Sequence, residues 1–266
     1  MDLTLNNAVM GVELSGIRQF TYLVRDTPGA CALTIGEPDL NTPDVIKEAA
    51  KAALDANDTH YPPGNGYPYA LEAISKFEAE AHGLHYAPSE IILTVGATEA
   101  LFASFSTILN PGDEVIIPTP AFGLYEALVQ LQGGVPVSLP TEHNHFQIVP
   151  EELKAAITDR TKAIILTSPN NPTGVVYSRQ TLEGLAELLR RKSTQFGHTI
   201  YLIADEPYRE LVYDGVEVPF LPTIYPNTLV CYSYSKSLSL PGERIGYVCV
   251  PSCVRSEERR VGKECR

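Results

Sequence analysis

EIILTVGATEALFASFSTILNPGDEVIIPTP, residues 90 to 120, decides the fold. EIILTVG is an apolar, β-rich run, and TEALFASFSTIL after it carries its apolar residues at helical spacing. N-P-G-D at 110 to 113 makes a turn, and EVIIPTP is a second apolar run. Strand, helix, turn and strand form one unit of an α/β fold. The alternation continues outward. EALVQLQGG (126–134) is a helix stopped by glycine, VPVSLP (135–140) a short strand, and EELKAAITD (151–159) an amphipathic helix. TKAIILTSPNNPTG (161–174) is a strand entering a loop, and TLEGLAELLRRKS (181–193) a helix with an apolar stripe. HTIYLIADEPY, NTLVCYSYS and RIGYVCV read as further strands. Upstream, TPDVIKEAAKAALDA (42–56) predicts a helix with Thr42 as N-cap and Pro43 in its first turn. Strands that are apolar throughout belong to a largely parallel sheet covered on both faces.

The 266 residues are 44% hydrophobic, ample for a packed core, and the net charge of -12 comes with no basic stripe. A nucleic-acid surface is therefore not expected. No apolar run reaches the roughly 20 residues of a membrane span. The start, MDLTLNNAVMGVEL, lacks the basic and apolar regions of a secretory signal, so a cytoplasmic protein with reduced thiols is expected. The five cysteines are Cys31, Cys231, Cys249, Cys253 and Cys265, and none has the paired spacing of a zinc site. No metal is expected. G-x-S-x-G and the P-loop are absent.

Ligands of open α/β sheets sit beyond the carboxyl ends of the strands. Five polar clusters fall there: G-A-T (96–98), P-A-F (120–122), S-P-N-N-P-T-G (168–174), D-E-P-Y (205–208) and S-Y-S-K (233–236). In SYSKSLSLPGERIGY (233–247), Lys236 lies among hydroxyls with Arg244 eight residues on. A lysine amine can hold an aldehyde as a Schiff base, while hydroxyls and a guanidinium suit a phosphate. Asp205 follows four largely apolar residues, so its carboxylate needs a strong partner. Exposed N–H groups at 96 to 98, where a strand gives way to a helix, also suit a phosphate. Each cluster has a plainer reading as a cap, a turn or a core residue.

In set and order these motifs resemble the fold-type I aminotransferases of class I and II, which use pyridoxal 5'-phosphate, and in particular bacterial aspartate aminotransferases. The resemblance runs from about Ser15 to Val254. It implies a large cofactor-binding domain with a mostly parallel, seven-stranded type of sheet between helices, together with an N-terminal arm. Residues 1–43 would be the arm and a fragment of a small domain, and residues 44–254 the large domain. The resemblance makes Lys236 the Schiff-base lysine, which also moves the proton at the substrate's Cα. It makes Asp205 the partner of the pyridine nitrogen. Asn171 and Tyr208 become the groups that bond the ring oxygen, with Asn171 preferred to Asn170 because it directly precedes the proline. Gly96, Ala97, Thr98, Ser233, Ser235 and Arg244 would form the phosphate cup, and Ser237 has no matching role. Phe122 stands where the family stacks an aromatic on the ring. Tyr61 matches a tyrosine that reaches the neighbouring subunit's phosphate, which implies a homodimer, although Tyr67 and Tyr69 stand nearby. Gly36 and Asn171 would meet the substrate.

The implied activity moves an amino group from an L-amino acid to a 2-oxo acid such as 2-oxoglutarate. Aspartate, an aromatic amino acid or an acyl-diaminopimelate could be the donor; S-G-I-R-Q-F (15–20) and L-T-I-G-E-P-D (33–39) resemble acyl-diaminopimelate aminotransferases. A carbon–sulfur lyase on the same scaffold is the alternative. A non-enzymatic regulator would need a DNA-binding segment ahead of Ser15.

The family's pattern departs near the end of the chain. RSEERRVGKECR (255–266) does not resemble it and matches the translation of a common sequencing adapter. Residues 255 to 265, with Arg266, are expected not to be biological. Most of the small domain, with the arginine for the substrate carboxylate, is expected to be missing, and the chain alone to be inactive. Resequencing the genomic locus tests this: the reading frame should diverge from this peptide after Val254, whereas an authentic stop codon after Arg266 would refute it.

Overall fold

The computed structural model describes residues 5–12 and 16–252. Ser15, Cys253, Cys265 and the terminal peptide 255–266 lie outside the described residues. Seven strands form one sheet: β1 (Ile91–Val95), β2 (Glu114–Thr119), β3 (Val135–Pro140), β4 (Thr161–Thr167), β5 (Tyr201–Asp205), β6 (Thr228–Ser233) and β7 (Ile245–Cys249). Their order is β1-β7-β6-β5-β4-β2-β3. β7 runs antiparallel to both neighbours, and the other pairs are parallel. The helices that matter here are α1 (Asp44–Asp55), α2 (Pro68–His82), α3 (Gly96–Ile108), α4 (Leu124–Leu131), α5 (Pro150–Ala156) and α6 (Arg179–Phe196).

Two cores flank the sheet, and β4 shows why its strands are apolar throughout. Ile164 and Leu166 point to the face covered by α2, α5 and α6, with Leu71, Leu153 and Leu189. Ala163 and Ile165 point to the face covered by α3 and α4, with Leu101, Phe105 and Leu128. Both halves of the two-residue period are therefore buried. Each large side chain so buried contributes about 1.5–3 kcal/mol. α6 buries Leu182, Leu185, Ala186 and Leu189, the i, i+3, i+4, i+7 stripe of a surface helix. Ser178 caps it by accepting from the Thr181 N–H at 3.0 Å, and Gly197 ends it in the left-handed conformation.

The boundaries differ from the sequence reading at two instructive places. Thr42 does not cap α1; Pro43 occupies that position with no side-chain bond. The Thr42 hydroxyl instead donates to the Ser239 carbonyl at 2.6 Å, tying the N-terminal segment to the loop after Lys236. The helix expected over 151–159 ends at Ala156. Its continuation is replaced by a turn in which Thr158 N–H donates to Thr161 Oγ1 at 2.9 Å.

A buried ion cluster stands on the α2 face of the sheet. The Arg209 guanidinium donates to Glu78 at 2.9 Å and to Glu206 at 2.8 Å, and Tyr247 donates to the same Glu78 carboxylate. All four side chains are buried. Burial pushes the Glu206 carboxyl up to about 7 against the pull of Arg209. Among the described residues no helix is long and apolar enough to cross a membrane.

β7 approaches β6 and the start of α3 closely at Gly246. A Cβ there would lie 2.5 Å from the Tyr232 carbonyl and 2.8 Å from the Gly96 carbonyl carbon, both backbone atoms. Neither can swing aside as a side chain would, so only glycine fits. We expect Gly246→Ala to lower the unfolding free energy by at least about 1–3 kcal/mol, the usual range for overpacking, in urea titrations. An unchanged midpoint would show that the contact is not tight.

Candidate active site

Strand direction assembles the site. The parallel strands β4, β5 and β6 end at Thr167, Asp205 and Ser233, and β1 ends beside them at Val95. β7 runs the other way, so its first residues sit at the same edge: Val95 pairs with Ile245, and Ser233 with Gly246. Arg244, which just precedes β7, is thereby brought to the turn between β1 and α3. Its guanidinium lies against Gly96, where a Cβ would be 2.7 Å from Nη2. Gly96 has φ +72°, so the backbone selects glycine there, while the Arg244 guanidinium, at the end of a flexible side chain, could shift.

Around this edge the predicted residues gather in part. Ser233 Oγ lies 2.8 Å from Ser235 Oγ and accepts from the Ser235 N–H at 3.2 Å, capping the single turn Tyr234–Ser237 that carries Lys236. Arg244 donates to the Pro241 carbonyl at 3.0 Å, which holds its side chain near the loop. α3 begins at Gly96 with Ala97 next. Thr98 is exposed and lines, with Arg244, an open depression of about 670 Å³. Asn171 donates to the Tyr208 hydroxyl at 3.3 Å, so these two arrive together from different loops. Asn170 faces elsewhere, donating to Thr173 at 2.9 Å and to the Pro120 carbonyl at 3.3 Å. Lys236 is half-buried and donates to the Gly36 carbonyl. Burial holds its ammonium below the ordinary lysine value, with Glu37 pulling the other way.

Four aromatic residues stand apart. Phe122 packs edge-on against Tyr125, ring centroids 5.8 Å apart, with part of its ring exposed. Tyr61 is fully exposed, with no hydrogen bond or ring contact among the described residues. Tyr67 and Tyr69 stack on each other instead and donate to the His60 carbonyl and to Asp58. A second cavity, of about 640 Å³, is lined by residues such as Ser104, Lys162, Tyr201 and Val248. None of the predicted site residues lines it, and no reactive cluster marks it.

Asp205 is the most constrained group. It is 4% exposed, and burial pushes its carboxyl up to about 7 against the lowering effect of Tyr125. Oδ2 accepts from the Tyr125 hydroxyl at 2.5 Å, while Oδ1 is buried without a partner among the described residues. Such an orphan acceptor is costly unless a donor completes it. A protonated ring nitrogen is a donor of the right kind, so the residues present fit a pyridine-based cofactor with a phosphate at the Gly96–Arg244 turn. Tyr125 and Thr167, which lies 2.5 Å from the Tyr125 hydroxyl, were not anticipated from sequence. Their only sequence signal is that Tyr125 stands three residues after Phe122.

The family model for aminotransferase class I and II matches residues 30–264, a span that runs into the terminal peptide. Among curated relatives, a probable N-acetyl-LL-diaminopimelate aminotransferase of Bacillus subtilis is 39% identical over 252 residues, 94% of this chain and 63% of that protein. An aspartate aminotransferase of Geobacillus stearothermophilus is 43% identical over 224 residues, 82% of this chain and 56% of that protein. Aspartate aminotransferase from Thermus thermophilus, solved with maleate, superposes with a TM-score of 0.87 at 37% identity, covering 99% of this chain and 69% of that one. The chain belongs to the class I and II aminotransferases. It spans less than two thirds of the length of those two curated relatives.

The buried carboxyl has a pH signature. Folded Asp205 binds its proton more tightly than the unfolded residue, which titrates near 3.8. Between about pH 4 and pH 7 the folded chain keeps a proton that the unfolded chain has lost, so stability falls as pH rises through that window. Asp205→Asn should flatten this fall and stabilise the cofactor-free chain at pH 8, by at most about 4 kcal/mol for a displacement of that size. Glu206, also raised, leaves part of the slope in place. Denaturation at pH 5 and pH 8 measures it; equal slopes in both proteins would contradict the burial of Asp205.

Proposed function

We propose that the protein to which this chain belongs is a pyridoxal 5'-phosphate-dependent aminotransferase. It would pass an amino group from an L-amino acid to a 2-oxo acid such as 2-oxoglutarate, as a cytoplasmic homodimer. The unpartnered, buried Oδ1 of Asp205 carries this reading: a folded chain keeps such a group where a ligand completes it. When bound, the cofactor supplies an aldehyde that exchanges amines and a ring that takes up electrons.

This chain's residues would do the rest. Asp205 holds the proton on the ring nitrogen. Lys236 supplies the anchoring amine and moves the proton at the substrate's Cα; its burial favours the neutral amine that both tasks need. Asn171 and Tyr208, already hydrogen-bonded, orient the ring through its oxygen. The α3 N-terminus with Thr98, together with Ser233, Ser235 and Arg244, takes the phosphate. Phe122 covers the ring, Gly36 meets the substrate, and Tyr61 reaches the partner's phosphate. Support for aspartate or an acyl-diaminopimelate as donor comes from the names of the relatives and, for the latter, from the S-G-I-R-Q-F and L-T-I-G-E-P-D motifs.

Borohydride reduction of the full chain with the cofactor, followed by peptide mapping, tests the anchor. We expect the adduct on Lys236 and its loss in Lys236→Ala; labelling elsewhere would overturn the assignment. For the intact protein to which this chain belongs, supplied with amino acid and 2-oxo acid, transfer of the amino group without release of pyruvate and ammonia is expected, whereas release would make the protein a lyase.

A further inference from the structure

Asp205 is held from behind by a chain of two hydroxyls. Tyr125, buried on α4, places its hydroxyl 2.5 Å from Asp205 Oδ2 and 2.5 Å from Thr167 Oγ1. A phenol has one proton, and it goes to the carboxylate. The Thr167 hydroxyl must then donate to Tyr125. Donation therefore runs one way, from Thr167 to Tyr125 to Asp205. Thr167 and Asp205 are register partners on β4 and β5, so the ladder fixes two corners of the triangle and α4 supplies the third. The chain ends on Oδ2, and Oδ1 is left over.

We propose that Tyr125, backed by Thr167, is a positioning residue that keeps Asp205 ionised and reserves Oδ1 for the cofactor. This rests on the reading of the site given above. The choice of a phenol has a physical reason. An arginine would hold the carboxylate more strongly, but its planar fork would engage both oxygens and leave none free. A tyrosine offers one donor to one oxygen. Burial pushes the phenol well above its ordinary value, so it stays a donor across the working pH range. The short bond to a charged acceptor favours the ionised carboxylate, against the burial that drives it towards neutrality. The titratable groups that interact with Asp205 are Tyr125 on α4, Tyr208 in the following loop and Cys231 on β6. Both tyrosines and the cysteine are held neutral, and Asp205 forms no ion pair among the described residues, so the hydroxyl chain is the main local support for the charge.

The test is an infrared titration of the full chain without cofactor, with the Asp205 band assigned by subtraction of Asp205→Asn. The wild-type midpoint should lie near 7. Tyr125→Phe, which removes one oxygen and keeps the ring, should move it up by about one pH unit or more, and Thr167→Val by less. At pH 7, where the wild-type carboxyl is half ionised, a one-unit rise should weaken pyridoxal 5'-phosphate binding about fivefold, with the loss shrinking as pH passes the new midpoint. A Tyr125→Phe midpoint equal to wild type, with the melting temperature unchanged, overturns the proposal. Should Tyr125→Phe not fold, Thr167→Val decides: an upward midpoint supports the chain of donors and an unmoved one ends it. Failure of the wild type to bind the cofactor would count against the proposed function, while the Asp205 midpoints would still decide this inference.

Discussion

One guanidinium fixes where the site begins. Arg209 is buried against Glu78 of α2 and Glu206 in the loop after β5, and Tyr247 of β7 closes the group. Tyr232 of β6 lies under the guanidinium, 4.6 Å from its ring centroid. Four elements thus converge on a side chain four residues beyond Asp205. Charges this deep are tolerated only when each finds its partner, and removing one member strands the others. The alternatives open to the loop at 205–209 are therefore few. Asp205 and Tyr208 inherit their positions from a cluster that itself performs no chemistry.

The second constraint is the reversed strand. Were β7 parallel to its neighbours, its first residue would lie at the far edge of the sheet. Running antiparallel, it delivers Arg244 to the β1–α3 turn, beside Ser233. Gly246 then permits an approach to the backbone of Tyr232 and Gly96 that no side chain would allow. The arrangement trades stability for a prepared site. Asp205 is buried with one oxygen unsatisfied, and burial raises it far above an ordinary carboxyl. A chain selected for stability alone would place an apolar residue there.

Much of this could be read along the chain. The α/β class followed from apolar runs alternating with helical spacing, because strands buried on both faces lose their two-residue pattern. Lys236, Asp205, Asn171 and Arg244 stood out because each sits in a short motif at a strand's end. Tyr125 and Thr167 did not. They meet Asp205 from 80 and 38 residues away in sequence, and each looks like an ordinary core residue where it stands. Thr42 misled for the same reason. Its local context is that of a helix cap, yet a partner 197 residues distant claims its hydroxyl. Local hydrogen bonds follow spacing; long-range ones depend on how strands are ordered.

By itself, then, the sequence determined the periodicities, the turn glycines and the reactive side chains, since these depend on neighbours within a few residues. Tertiary structure decided which of those side chains share one edge, which oxygen of Asp205 is left open, and that Arg209 pairs with a glutamate 131 residues earlier. The direction of β7 and the register of β4 beside β5 set those outcomes. Both are chosen by the packing of the whole sheet, where every strand must bury two faces at once.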